Sequence, residues 1–172
     1  MIKSFLFLLI IFLSTITSSQ GARSFAGTFE IMNENSRKFL DVADASKEDG
    51  ARINQFQRTH NLNQRWSLYY EGNNVEIYSI ISVNSDKAIA NPGSSTQAGT
   101  QMQQLTYDGS KNQLFEFTHV GDGSVYLRNS QSQLYLGIQG SSKENGASVV
   151  QQTFTGGPNQ RWYFIVSDIP PE

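Results

Sequence analysis

Asn63-Gln64-Arg65-Trp66, Asn112-Gln113-Leu114-Phe115 and Asn159-Gln160-Arg161-Trp162 set an asparagine and a glutamine side by side, with a large aromatic two places after the glutamine. An amide side chain carries both donors and an acceptor, so this spacing suits the tying down of irregular backbone, whose polar groups need partners when buried. Groups for covalent or acid–base chemistry are scarce. His60 and His119 are the only histidines, which leaves few candidates for a histidine metal site or a catalytic triad. The absence of cysteine excludes thiol catalysis, Cys-zinc sites and disulfides. Glycosidase chemistry needs two carboxylates about 5–10 Å apart across a bond. Asp41 has no evident second carboxylate, because Asp44, Glu48 and Asp49 sit in the following loop and read as solvated charges. The expectation is a non-enzymatic protein without metal or cofactor.

Composition agrees with that expectation. Charged residues are 16% of the chain, against about 25% in typical soluble domains. Fifteen glutamines and thirteen asparagines match the 28 charged residues in number. A net charge of −2 offers no basic surface for nucleic-acid phosphates or anionic lipid heads. Lys3, the unbroken apolar run Phe5–Leu13 and the small polar stretch Ser14–Ser19 follow the order of a secretory signal peptide. Nine apolar residues are too few to span a bilayer, which takes about 20. Residues 1–21 therefore read as a leader and 22–172 as one secreted domain, not inserted in a membrane. A domain of about 150 residues buries enough surface to fold without disulfides.

The Asn-Gln elements belong to a longer repeat, with offsets of 49 and 47 residues. The same offsets align Phe29, Tyr78 and Val125; Ile31, Ile80 and Leu127; and Leu40, Ile89 and Leu136. They also align Gly50, Gly99 and Gly146, and Gln55, Gln104 and Gln151, without a gap. The repeats cover about 25–73, 74–122 and 123–168. Each reads as four short strands: in the first repeat an alternating strand at Thr28–Met32, an apolar strand at Phe39–Val42, a third at Arg52–Gln57 and a fourth from Trp66. No helical periodicity appears after the leader. The fold class expected is all-β.

A threefold repeat of about this length, each copy ending in Gln-x-Trp or Gln-x-Phe, resembles the ricin-B-type β-trefoil lectin family over roughly Thr28 to Val166. The resemblance implies a six-stranded barrel capped by three hairpins, with pseudo-threefold symmetry. Trp66, Phe115 and Trp162 then read as core. Gln64, Gln113 and Gln160 read as scaffold, since one amide recurring three times argues against a single site.

In that family a sugar lies in a shallow pocket of each repeat. An Asp ending the second strand accepts hydrogen bonds from vicinal hydroxyls, a ring on the third strand stacks on the pyranose, and the Asn before Gln-x-Trp reaches a hydroxyl. Repeat one keeps this set as Asp41, Phe56 and Asn63, with Asn54 as a further polar contact; Phe56 replaces the more usual Trp. Repeat two has Ala90 and Leu105 at the Asp and ring positions, while Gln103 and Asn112 remain. Repeat three has Gly137, Gln152 and Val150. The resemblance thus implies one site, in repeat one, for galactose or N-acetylgalactosamine-type ends of glycans or glycoproteins. A single shallow site would bind at about millimolar to micromolar strength, with a homo-oligomer as one route to avidity.

The residues leave alternatives open. Asp41 bonds either a ligand or turn amides, and Phe56 either stacks or packs inward. Asn63 has a structural share, because Asn112 and Asn159 persist where the Asp does not. His60 is a solvated loop residue or a sugar contact. Tyr107 and Phe154, two places past the ring position, are alternative stacking surfaces. The rival function is a β-trefoil with decayed sugar sites that binds protein, such as a secreted protease inhibitor. That rival calls for a long exposed loop, and the gap-free alignment shows none between the second and fourth strands.

Overall fold

Short β-rich segments punctuated by Gly, Asn and Ser bury their apolar residues by packing two sheets together or by closing one sheet on itself, and here the sheet closes. The computed structural model describes residues 23–72 and 74–167; the expected leader, 1–21, lies outside these. Repeat one forms β1 (Ser24–Asn33), β2 (Phe39–Val42), β3 (Ile53–Phe56) and β4 (Arg65–Glu71). Repeat two forms β5 (Asn74–Ser82), β6 (Lys87–Ala90), β7 (Gln103–Thr106) and β8 (Leu114–His119). Repeat three forms β9 (Ser124–Asn129), β10 (Tyr135–Ile138), β11 (Val149–Gln152) and β12 (Arg161–Val166). Among the described residues the only helical segments are three-residue 3-10 turns.

Antiparallel pairing runs β1–β4–β5–β8–β9–β12 and back to β1, a closed six-stranded barrel. The hairpins β2–β3, β6–β7 and β10–β11 cap it. This is the β-trefoil that the family resemblance implied, and the all-β class expected from the repeat. The hairpins join head to tail: Gln55 N–H donates to Ala147 O at 2.9 Å, Gln104 N–H to Ala51 O at 2.9 Å and Gln151 N–H to Thr100 O at 3.0 Å. The same three glutamines brace the neighbouring loop with their side chains. Gln55 Nε2 donates to Ser142 O and Glu144 O, Gln104 Nε2 to Ser46 O and Glu48 O, and Gln151 Nε2 to Ser95 O and Gln97 O, all at 2.8–3.0 Å. The triplet is thus a threefold set of clamps between hairpins.

Trp66, Phe115 and Trp162 are fully buried in a single core with Ile31, Leu40, Ile53 and their equivalents. Each Trp also uses its indole N–H: Trp66 Nε1 donates to Leu40 O and Trp162 Nε1 to Leu136 O, both at 3.1 Å. Phe115 has no such donor.

Candidate functional site

Asp41 sits on β2 with its side chain turned toward the Asn-Gln element, and only 6% of its surface is exposed. Asn63 Nδ2 and Gln64 Nε2 both donate to Asp41 Oδ2, at 2.9 and 3.0 Å. The Asn54 amide, across the hairpin, has its nitrogen 3.1 Å from Asp41 Oδ1 and 3.2 Å from Asp41 O, an orientation that satisfies both sides. A carboxylate has about four lone-pair directions. Three amide donors leave room on Oδ1 for a hydroxyl from outside. Burial pushes the Asp41 carboxyl up to about 6, while the Gln64 and Asn63 amides pull it down and the charge of Asp44 adds to the rise.

In front of this carboxylate lies a hollow of about 300 Å³ lined by Asp41, Asn54, Phe56 and Asn63 together with Asp44, Ala45, Thr59 and Asn61. The four residues carried over by resemblance therefore converge on one concavity, with a ring, an acid and two amides. Phe56 is partly exposed and lies opposite Phe39 across the hairpin.

Asp44, expected to be a solvated loop charge, is exposed in the loop after β2, and it also stands on the rim of the hollow. Its backbone is left-handed, with φ 57°, and its equivalents Gly93 and Gly140 have φ 58° and 60°. A residue with a Cβ in this region costs roughly 1 kcal/mol. Two repeats meet the requirement with glycine, while repeat one keeps a carboxylate there. The alignment already held that signal: an Asp opposite two glycines. Asp44→Gly should therefore leave stability unchanged or raise it by up to about 1 kcal/mol, while weakening any ligand that Asp44 touches. Thermal unfolding beside glycan titration checks both signs.

The equivalent places in the other repeats differ. Gln64, Gln113 and Gln160 make one constant pair of bonds. Oε1 accepts the N–H of Thr59, Asp108 or Thr155 at 2.8–2.9 Å, and Nε2 donates to Gln57, Thr106 or Thr153 O at 2.8 Å. Asn63, Asn112 and Asn159 likewise donate to Val42, Asn91 and Ile138 O at 2.9–3.3 Å. Only in repeat one do both amides also reach a carboxylate. In repeat three a Cβ on Gly137 would stand 2.9 Å from Gln152 Nε2 and 3.0 Å from Gln160 Cγ, so the Gln152 amide occupies the place of the missing acid. Repeat two presents Ala90 and Leu105 instead.

Other sequence candidates are engaged elsewhere. Tyr107 donates its hydroxyl to Glu71 Oε2 at 2.8 Å and lies under the Arg23 guanidinium. Phe154 is half-exposed and packs on Tyr126 and Tyr135, ring centroids 4.9 and 4.7 Å away. His60 does not line the hollow; its Nδ1 lies 3.6 Å from Glu30 Oε1.

A family model described as "Ricin-type beta-trefoil lectin domain-like" matches residues 17–105 and 111–169. Among curated proteins, the clotting factor G alpha subunit of Tachypleus tridentatus is 37% identical over 62 residues, 36% of this chain and 9% of that protein. Pierisin of Pieris brassicae is 26% identical over 140 residues, 80% of this chain and 16% of pierisin. The chain thus spans under a fifth of these relatives. Among solved structures, the designed threefold-symmetric protein ThreeFoil is 31% identical with a TM-score of 0.78, over 81% of this chain and 99% of that one. An exo-β-1,3-galactanase from Clostridium thermocellum is 30% identical with a TM-score of 0.78, over 82% of this chain and 30% of the enzyme. The C-terminal half of the earthworm R-type lectin, solved with GalNAc, shares the fold at 22% identity and TM-score 0.62, over 81% of this chain and 98% of that one.

Proposed function

The chain belongs to the ricin-type β-trefoil lectin family, and from that premise we propose that it is a non-enzymatic lectin holding a galactose or N-acetylgalactosamine-type sugar in the repeat-one hollow. The observation carrying this reading is the convergence of Asp41, Asn54, Phe56 and Asn63 on one concavity. A pyranose has a C–H face for a ring and hydroxyls that bind best to a charged acceptor. Phe56 supplies the first, Asp41 Oδ1 the second, and Asp44 stands on the rim for a further hydroxyl. The choice of sugar rests on the GalNAc complex of the earthworm lectin and on the galactan-directed enzyme, each a statement about that protein. Glycan-array binding by residues 22–172 tests it; strong retention of mannose or glucose glycans alone, with none bearing galactose or GalNAc, would overturn the sugar class.

The Asp41 carboxyl supplies a pH test. A carboxylate is the better acceptor, and with its pKa near 6 the ionised fraction falls about tenfold from pH 7 to pH 5. Sugar affinity should fall by about that factor, while circular dichroism shows the fold unchanged. Flat affinity across this range would remove Asp41 from the contact.

We place the action of the protein outside the cell, on the leader-like order of residues 1–21. The mass of the exported chain is expected to correspond to a start near Ala22, and recovery of the uncleaved form alone would contradict this.

A further inference from the structure

Against the loop that carries Thr59 and Asn61 of the hollow lies a carboxyl group on the barrel strand β1 that neither the sugar contacts nor the core requires. Glu30, on β1, is only 2% exposed. Its Oε2 accepts hydrogen bonds from Arg58 Nε at 2.9 Å and from Arg58 Nη2. Its Oε1 is buried without a hydrogen-bond partner, and His60 Nδ1 lies 3.6 Å from it. Arg65, opposite Glu30 on β4, donates from Nη2 to the His60 carbonyl at 2.8 Å. A buried carboxylate is costly unless charged or polar groups meet it, and here the groups that meet it come from the loop bearing Thr59, Asn61 and Asn63.

His60 occupies a second left-handed position, φ 60°, where the other repeats have Gly109 and Gly156 at φ 76° and 70°. The chain thus accepts backbone strain to keep an imidazole against Glu30. The partner positions change together. Repeat three has Tyr126 and Phe154 in place of Glu30 and Arg58, with rings 4.9 Å apart and the Tyr126 hydroxyl on Gly156 O at 3.1 Å. Repeat two has Ser79 and Tyr107. The charged arrangement occurs in the one repeat that keeps the acid and ring of the hollow.

We infer that Glu30, Arg58 and His60 are positioning residues of the repeat-one hollow: the buried carboxylate grips the 58–60 segment and so sets Thr59, Asn61 and Asn63 around Asp41. This rests on the sugar-binding reading for its effect on affinity, but not for its effect on the loop. The bonds that report the loop are Thr59 N–H to Gln64 Oε1 at 2.8 Å and Asn61 N–H to Thr59 Oγ1 at 3.3 Å.

The test compares wild type, Glu30→Gln, His60→Gly and the double variant by glycan titration, thermal unfolding and amide hydrogen exchange. His60→Gly should melt no lower than wild type, because glycine relieves the strain. Its affinity should nevertheless fall about tenfold, with Glu30→Gln similar and the double variant no weaker than the weaker single, as for two residues acting through one contact. Exchange at Thr59 and Asn61 should quicken about tenfold while repeats two and three stay unchanged. Wild-type affinity in His60→Gly, effects that add in the double variant, or unaltered exchange at both amides overturns the inference. A purely structural role would lower the melting temperature and leave affinity alone. If Glu30→Gln does not fold, His60→Gly decides by itself. If the wild type binds no glycan, the sugar reading fails, and exchange at Thr59 and Asn61 still decides the brace.

Discussion

Asp41→Ala should abolish sugar binding and leave the barrel folded. A hydrogen bond to a charged acceptor contributes about 1.5–3 kcal/mol, so its loss weakens binding roughly 10- to 150-fold, beyond detection for a site of millimolar to micromolar strength. Folding should survive for a reason visible in the hydrogen bonds. When the carboxylate goes, Asn63 Nδ2 still donates to Val42 O and Gln64 Nε2 to Gln57 O, so neither buried donor is orphaned. Repeat two already contains this arrangement, with Ala90 facing Asn112 and Gln113. The pH dependence has a definite sign. A carboxyl whose folded pKa is raised to about 6 favours folding while protonated, and that contribution is lost as pH rises through 6. Relative to wild type, Asp41→Ala should thus gain stability between pH 4 and pH 8. Retained glycan binding by a folded Asp41→Ala protein would place the site elsewhere.

Trp162→Ala should produce the largest loss of stability. The indole is completely buried and its N–H is bonded to Leu136 O. Removing such a side chain costs about 3–5 kcal/mol, against a total stability of about 5–15 kcal/mol for a domain. A drop in melting temperature of roughly 10 °C is expected. Trp162→Phe is the informative companion, because Phe115 fills the same position in repeat two with no exposure. It forfeits the indole bond and part of the volume, about 1–2 kcal/mol, and should stay folded. Denaturant unfolding separates the two. An Ala variant within about 1 kcal/mol of wild type would show that the three aromatics do not share one tightly packed core.

The fold was legible because its determinants are local and repeated. Alternation marks strands, Gly, Asn and Ser mark turns, and three gap-free copies must bury equivalent residues in equivalent ways. The hollow was legible at Asp41, Asn54, Phe56 and Asn63 through resemblance; Asp44, read as a solvated charge, is exposed as expected but also borders the hollow. Nothing in its immediate neighbours shows that it borders the same hollow as Asn63. Only comparison with Gly93 and Gly140 hints at a backbone that strains to keep a carboxylate.

The amino-acid sequence by itself determined an all-β threefold repeat with recurring amides, and its family resemblance implied the barrel and set one repeat apart by Asp41. Tertiary structure alone decided that Gln152 in the third repeat lies where an acid side chain would start, that Asp44 borders the hollow, and that Glu30 meets the loop at Arg58 and His60. The physical reason is range. Hydrophobic period and turn chemistry act over a few residues, and a repeat multiplies their signal. The grip of a buried carboxylate on a loop about 30 positions away depends on which faces the closed barrel brings together.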